Sequence, residues 1–453
     1  MTEIQAAYRI MEQIEDFGYE AFIVGGYVRD YKMGIESDDV DISTNMPMDE
    51  MEKEFTTYNI GESKDFGIVI VKSEGFDFEV AQFRADIYED KFDKGQGANS
   101  TEITNSFKAD TARRDFTINA MGMDINNTVV DFHGGMGDMK DKVIKAVGNA
   151  EARFEEDYVR MFRAIRFAAR MDFTIESETW KAIKKFAPKA KEVAGERIKK
   201  EFYKMASQDG KTFAKAIDMM VESGIMDAII PEFTNMKGYE QSKVHHPEGD
   251  VFEHVMAAIR VSTSKDPVVN MGIMFHDIGK PKSYRKKIDG DVTKHTYYSH
   301  EAIGVPIWEA IARRFNFSRN DMDKISAAII GHMRFHMIGV MKQSKVKDVM
   351  DNKHYEFVKE VAFADAQSRG EDWDRDSWDS KMERIDNIKA NTISPVGFKT
   401  AVTGKMVMDW MGITKGNARV GDVIKKTYRW ANDNNITNFS EIQDHARAMA
   451  RSN

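Results

Sequence analysis

Two carboxylates one residue apart, Asp39 and Asp41, follow a glycine pair, Gly25-Gly26, and an Arg29-Asp30 step in the stretch VGGYVRDYKMGIESDDVDIST, residues 24–44. On a strand, residues i and i+2 point to one face, so this spacing presents two like charges side by side. Such a pair repels, and one member tends to hold a proton unless a cation resolves the conflict. Mg²⁺ held by one or two carboxylates together with phosphate oxygens is the usual arrangement for phosphoryl transfer. The Gly25-Gly26 turn lets backbone N–H groups approach a triphosphate, and the helix start behind it adds partial positive charge. Arg29 can then pair with a phosphate. Asp-x-Asp alone is common on solvated surfaces; the glycine turn and the arginine ahead of it favour catalysis. Glu79, in FDFEVAQF, shares a strand face with Asp77, opposite Phe76, Phe78 and Val80. It is either a third ligand to the same metal or part of a solvated face.

A second row, in EEDYVRMFRAIRF, has helical spacing: Asp157, Arg160, Arg163 and Arg166 trace one drifting stripe. It reads either as an ion-paired surface or as a reader of bases. Cytosine and adenine both show an exocyclic amine beside a ring-nitrogen acceptor, which a carboxylate and a guanidinium complement; uracil and guanine present the reverse. A third set is His254, His276-Asp277, His300, His332 and Asp365, on segments of mostly helical period. With no cysteine in the chain, any metal must sit on imidazoles and carboxylates. The set suits one or two divalent ions that activate water against a phosphate ester, or an idle remnant of such a site.

These residues need elements to hold them. The chain has 453 residues, a net charge of −9 and no run of 18 apolar residues, which excludes a general basic coat and argues against a membrane span. The N-terminus lacks the basic and apolar regions of a secretory signal, and the expected address is cytoplasmic. Residues 4–17 carry an amphipathic stripe; 20–25 read as a strand, 28–33 as a helix, 39–43 as a strand, and 68–73 with 76–83 as a hairpin about Glu74-Gly75. The polar stretch 85–109 reads as a mobile loop, 116–130 as strand, turn, strand, and nearly everything beyond 155 as helix. Pro231 and Pro247 bracket a loop, and a second polar stretch covers 367–380. The fold class is therefore α+β: a mixed-sheet head followed by an all-helical remainder.

Five motifs, in order, carry a resemblance: GGYVRD with DVDIST; DTARRDFTINAMGMD, 110–124; VVDFHGGMGDMKDKVI, 129–144; EEDYVRMFRAIRFAARMDFTIE, 155–176; and ERIKKEF, 196–202. Together they resemble the class II tRNA nucleotidyltransferases, the CCA-adding enzymes and their bacterial poly(A) polymerase relatives. The resemblance implies a nucleotidyltransferase head, 1–145, with Asp39, Asp41 and Glu79 catalytic around Mg²⁺. It implies a helical neck and body, 146–235, in which Asp157 and Arg160 choose the base and Arg163 and Arg166 bind the nucleotide. It adds Gly25, Gly26, Arg29 and Arg114 for the nucleotide, Asp110 for the sugar or the loop, and Asn119 in support. Since two adjacent arginines cannot both point inward on a regular strand, Arg114 rather than Arg113 is expected at the nucleotide. FRADIYEDKF resembles the flexible loop of enzymes that add the terminal A.

The order His, His-Asp, His, His, Asp resembles the HD phosphohydrolases, implying such a domain over 236–370, with Mg²⁺ or a divalent transition metal. Residues 401–435 resemble the small C-terminal helical domain of these enzymes, implying a helical tail over 371–453, and Lys415, Arg419, Lys425, Lys426 and Arg429 suit RNA phosphates or a solvated face. The implied partners are the tRNA 3′ end, CTP and ATP, with no membrane. The alternatives are a poly(A) polymerase of the same superfamily, an HD phosphohydrolase with a non-catalytic head, and a non-enzymatic RNA-binding protein.

Overall fold

The computed structural model describes residues 2–37, 39–58, 67–87, 95, 100–242, 249–289, 292–370, 373–391 and 395–452. The chain divides into two compact units. The first comprises Met1–Gln208, Thr212–Thr234 and Arg314–Asn316; the second comprises Asp209–Lys211, Asn235–Arg313 and Phe317–Asn453.

The first unit opens with α1 (Glu3–Asp16), whose Ala6, Ala7, Ile10, Met11 and Ile14 are buried, as the stripe requires. Then follow β1 (Ala21–Val24), α2 (Gly26–Lys32), β2 (Asp41–Thr44), α3 (Met48–Glu54), β3 (Thr57–Tyr58), β4 (Ile68–Ser73) and β5 (Phe76–Gln82). Next come β6 (Arg84–Ile87), β7 (Ser100–Ile103), α4 (Phe107–Ala112), β8 (Met121–Met123), β9 (Val129–Asp131) and α5 (Gly135–Lys140). Among the described residues seven strands form one sheet in the order β3-β4-β5-β2-β1-β8-β9. Only the β2–β5 pair among these is parallel. α1 packs on one face of it, over Ile23, Ile42, Val69, Val71, Phe78 and Val80.

Three expectations need correction here. The stretch 85–109 is not wholly loop: β6 and β7 pair antiparallel, and α4 begins at Phe107, while residues 88–94 and 96–99 lie outside the described residues. Within that stretch Gly95 is buried, and its carbonyl accepts the amide of Tyr158 at 2.8 Å. The strand expected from 116 begins only at Met121, because Thr117–Asn119 form a 3₁₀ turn first. Pro231 opens a short helix rather than a loop, since its missing N–H costs nothing at a first helical position; Pro247 lies outside the described residues.

β10 (Val143–Ile144) pairs in parallel with β11 (Thr174–Ile175), and between them lie α6 (Ala150–Glu156) and α7 (Val159–Met171). α8 (Ser177–Phe186), α9 (Gly195–Ala206), α10 (Gly210–Ser223), α11 (Ile225–Ile229) and α12 (Pro231–Thr234) follow.

Among the described residues the second unit is helical except for an antiparallel hairpin, β12 (Arg285–Asp289) with β13 (Val292–Thr296), that the helical reading had not included. Its helices include α13 (Val251–Val261), α14 (Pro267–Phe275), α15 (Lys280–Ser283), α16 (His300–Arg314), α17 (Arg319–His336), α18 (Gln343–Met350) and α19 (Tyr355–Gln367). From Val268 to Phe275 every residue of α14 is buried, so this helix delivers His276 and Asp277 into the interior. The polar stretch 367–380 is helical from Arg375. Residues 398–450 hold a separate apolar cluster that includes Val407, Val423, Ile442 and Ala446.

Candidate functional site

β1 ends at Val24, and the chain turns at Gly25, whose φ of 74° suits glycine. A Cβ there would stand 3.4 Å from Arg114 Nη1 and 3.9 Å from Asp41 Oδ2, so the turn brings bare backbone against both. Val24 stands opposite Asp41, and Ile42 opposite Val80. Ile42 and Val80 face the core, so Asp41 and Glu79, one step back on parallel strands, share the other face. Asp39 precedes β2 rather than lying in it. Burial, then the charges of Asp39 and Glu79, push Asp41 up to about 7, while Arg114 draws it down. This residue set fits a divalent cation, which would relieve the repulsion that keeps a proton on Asp41.

A cavity of about 520 Å³ opens over the turn. Gly25, Gly26, Arg29, Asp41, Arg114, Asn119, Asp157, Arg160, Arg163 and Arg166 all line it; Asp39 and Glu79 are exposed and Asp110 is fully buried, and none of these three is on the wall. Among the described residues eight cationic side chains on the wall face three carboxylates, a balance that suits a polyanion.

Four expected geometries change. Arg29 is not left free for a phosphate: its Nε and Nη2 donate to Asp30 at 2.8 and 2.9 Å, and Nη1 donates to Asn119 at 2.6 Å. Asp110 is off the wall of this cavity; it accepts from Arg113 at 3.1 Å, Arg114 at 3.3 Å and the Arg84 amide at 3.2 Å, bracing the base of the 84–109 segment. Arg113 and Arg114 both line the cavity, because they end helix α4 instead of occupying a strand. Asp157 lies in extended conformation between α6 and α7, so the row is a carboxylate at a hinge followed by arginines on one helix.

Each of those side chains is held by another. Arg197 donates to Asp157 Oδ2 at 2.6 Å, and the Val159 amide to Oδ1 at 3.1 Å. Arg160 donates to Glu156 at 2.6 Å and to the Arg113 carbonyl at 3.2 Å. Arg163 donates to Asp115 at 2.7 Å, and Asn119 Nδ2 donates to the same carboxylate at 3.0 Å. Burial pushes Asp115 up, but Arg163 and these hydrogen bonds outweigh it and hold the group at about 2. Arg166 donates to the buried Glu201 at 2.6 Å. Phe167 carries three guanidinium groups around its ring, those of Arg29, Arg163 and Arg166, at 5.1, 5.4 and 4.2 Å. Sequence reasoning left out Arg113, Arg197, Lys204 and Phe167 on the wall and Glu201 behind it. The ERIKKEF motif was the available signal for Arg197 and Glu201.

In the second unit the histidine set does converge. His254 Nε2 lies 3.3 Å from His276 Nε2 and 3.1 Å from Asp365 Oδ1. Asp277 Oδ1 lies 3.2 Å from His300 Nε2 and 3.6 Å from His332 Nε2, which are 3.5 Å from each other. In every ring Nδ1 faces an oxygen: the carbonyls of Ile273 for His276, Tyr297 for His300, Ile329 for His332, and Ser368 Oγ for His254. Ser368 spends its own proton on the Asp365 carbonyl, so His254 Nδ1 is the donor there. With Nδ1 protonated, a neutral imidazole turns the Nε2 lone pair inward. Four lone pairs and two carboxylates thus converge, a donor set that fits one or two divalent cations. Burial lowers His332 and so favours its neutral form, whereas the hydrogen bond and charge of Asp277 outweigh burial and raise His300. Lys280 Nζ, 2.6 Å from Asp277 Oδ2, and His336 Nε2, 2.8 Å from Asp365 Oδ2, complete the cluster and were missed in the sequence. A cavity of about 590 Å³ opens on Asp277, His300, His332 and Asp365; His254 and His276 are buried and off its wall.

The basic residues of the tail are partly spent on neighbours: Lys426 pairs with Asp422 at 2.8 Å, Arg429 with Asp348 at 3.7 Å, and Arg419 donates to the Ser452 carbonyl. No helix among the described residues is long and apolar enough to cross a membrane.

Residues 21–145 match the model of the poly A polymerase head domain, and residues 172–237 that of the probable RNA and SrmB-binding site of polymerase A. The CCA-adding enzyme of Ligilactobacillus salivarius is 37% identical over 203 residues, 45% of this chain and 49% of that one. The CCA-adding enzyme of Streptococcus mutans is 32% identical over 286 residues, 63% of this chain and 67% of that one. The chain spans about half the length of most curated relatives it matches. The fold of the Bacillus stearothermophilus CCA-adding enzyme in complex with CTP superposes with a TM-score of 0.69 at 22% identity, over 99% of this chain and 98% of that one. That of the Thermotoga maritima CCA-adding enzyme complexed with tRNA gives 0.61 at 19%, over 98% and 95%. On the head domain, the RNA-binding segment and the Streptococcus mutans relative, the chain belongs to the CCA-adding enzyme family.

Proposed function

We propose that this chain adds C, C and A to the 3′ end of tRNA by template-independent nucleotidyl transfer from CTP and ATP, residues 1–145 supplying the catalytic head and 146–235 the choice of base. One observation carries the reading. A single cavity joins Asp41, with Asp39 and Glu79 interacting with it, to a cationic wall and to the Asp157 and Arg160 pair. Mg²⁺ held by these carboxylates would offset charge on the reacting phosphate and activate the RNA hydroxyl. Arg114, Arg163 and Arg166 receive the triphosphate. Asp157 accepts the exocyclic amine of cytosine or adenine, and Arg160 donates to the ring nitrogen. Arg197 and Glu156 hold that pair in place, so the selection is pre-organised.

The test is a tRNA transcript lacking CCA, incubated with each labelled nucleotide singly and then with CTP and ATP together. CTP entering first and ATP only after it supports the reading. Long tails from ATP alone, with CTP ignored, would make the chain a poly(A) polymerase, the alternative that the head-domain match keeps open.

We further infer that residues 236–370 form an HD phosphohydrolase domain that takes 2′,3′-cyclic phosphate or terminal phosphate from a damaged tRNA end, and that 371–453 bind RNA. The inward-turned Nε2 lone pairs support the metal site. A bound Mn²⁺, Ni²⁺, Co²⁺ or Mg²⁺ would lower the pKa of its water and supply hydroxide near neutral pH.

A further inference from the structure

Phe167 lies on the wall of the cavity over Gly25, 5% exposed, with Phe116 meeting it edge-on at 5.9 Å. Three guanidinium groups gather around its ring, that of Arg166 nearest at 4.2 Å, then Arg29 at 5.1 Å and Arg163 at 5.4 Å. Their carboxylate partners sit on separate elements: Asp30 in α2, Asp115 between α4 and the 3₁₀ turn, Glu201 in α9. These acids draw the three cations in different directions, and the ring is a point common to all of them. Arg29 is fixed by three hydrogen bonds to Asp30 and Asn119. Arg163 and Arg166 are held otherwise: among the described residues each makes one hydrogen bond, from Nε, and Arg163 Nη1 stops 3.9 Å from Glu201. One bond at Nε is a pivot about which the guanidinium plane can swing. An aromatic face resists that swing, because it attracts the cation and stacks on its plane.

We infer that Phe167 is a positioning residue for the phosphates of the incoming nucleotide: its face sets the planes of Arg163 and Arg166 and leaves their outer N–H groups as donors for an anion in the cavity. The inference rests on the nucleotidyl-transfer reading and adds the residue that organises its phosphate donors. Like charges this close repel, and an anion is held best by donors whose geometry is fixed before it arrives. Helix α7 places ring and arginines together: Phe167 follows Arg166 directly and stands four residues, about one turn, after Arg163. The triphosphate is common to CTP and ATP, so the ring should serve both alike. Asp157 and Arg160 are held by Arg197 and Glu156 instead, so the choice of base should be indifferent to the ring.

The experiment replaces Phe167 in the full chain with mono-, di- and trifluorophenylalanine, which keep the shape of the ring and weaken its negative face step by step. Phe167→Leu removes the face outright. KM and kcat are measured for CTP on a tRNA transcript lacking CCA and for ATP on one ending in CC, and calorimetry reads the binding of inorganic tripolyphosphate. KM for both nucleotides and Kd for tripolyphosphate should rise along the series, by about 2- to 30-fold at its end, the range of one lost cation–π contact. In the fluorinated proteins kcat, the melting temperature and the preference for C and A over U and G should stay at wild-type values, as when binding shared by ground and transition states is lost. Constants that stay flat along the series overturn the inference even if Phe167→Leu melts early, since the ring is then packing alone. Tighter tripolyphosphate binding on fluorination overturns it too, since the ring then only offsets charge. If the wild type adds no nucleotide, the nucleotidyl-transfer reading fails, and the tripolyphosphate series alone decides the role of Phe167: a stepwise loss upholds it and a flat series ends it.

Discussion

Asp41→Asn should stabilise the metal-free protein, and by an amount that depends on pH. Burial and the neighbouring charges of Asp39 and Glu79 move this carboxyl from 3.8 up to about 7. An acid whose folded value is raised binds its proton more tightly when folded. Its ionisation therefore drains stability progressively from the unfolded value near 4 up to about 7, and the loss stays constant above that. Three pKa units correspond to about 4 kcal/mol, and partial access of solvent to the site brings the expected cost to roughly 2–4 kcal/mol. Asparagine keeps the shape and removes the titration. In EDTA at pH 8, the transition of the first unit should rise by roughly 4–16 °C in the variant, whereas below pH 4 the two proteins should melt together. Millimolar Mg²⁺ should reverse the order, since only the wild type retains the full carboxylate set and gains from ligand binding. Differential scanning fluorimetry from pH 3.5 to 8.5, with EDTA or Mg²⁺, reads all of this. A wild-type midpoint in EDTA that ignores pH between 4 and 7, or a variant no more stable at pH 8, would refute the carboxylate cluster as the origin of the strain.

Three further outcomes follow from the same geometry. Asp157→Ala should admit UTP or GTP at a cost in discrimination of ~1–3 kcal/mol; unchanged nucleotide preference in single-nucleotide assays with both Asp157→Ala and Arg160→Ala would make the pair merely structural. Glu201→Gln strips the buried counter-charge from Arg166, and urea melts should show a loss of roughly 2–4 kcal/mol, with Asp115 still holding Arg163; a loss under 0.5 kcal/mol sinks that assignment. His276→Ala combined with Asp277→Ala should abolish Mn²⁺ retention in elemental analysis of the desalted protein and spare nucleotide addition to tRNA, and a double variant that retains Mn²⁺ like the wild type contradicts the proposed ligand set.

Where one face of an element is buried, the chain states its structure openly. FDFEVAQF reads inside and outside by simple alternation, and Phe78 and Val80 are in the core while Asp77 and Glu79 are exposed. α1 declares its buried stripe in the same way, at period 3.6 instead of 2. The hairpin Arg285–Thr296 was hidden because its described residues are largely exposed, so no alternation marks it. At the candidate sites, the types and order of the side chains that come together were legible; the residues that hold them were not. Arg197 finds Asp157 forty positions away, and His336 finds Asp365 twenty-nine away. No local pattern encodes such pairings, because tertiary approach creates them. The misplacement of Arg113 and Asp157 has one cause: a helix end and a hinge were read as regular strand and helix.

The carbonyl of Gly95 gives the 84–109 segment a second kind of grip on the chain. Its partner is the amide of Tyr158, next in sequence to Asp157, and a Cβ at 95 would stand 1.9 Å from the Tyr158 ring. The backbone on one side of Asp157 is thereby tied to a point in the segment between β6 and β7, as a rope is tied to a cleat. Any side chain at position 95 would therefore press on the residue beside Asp157.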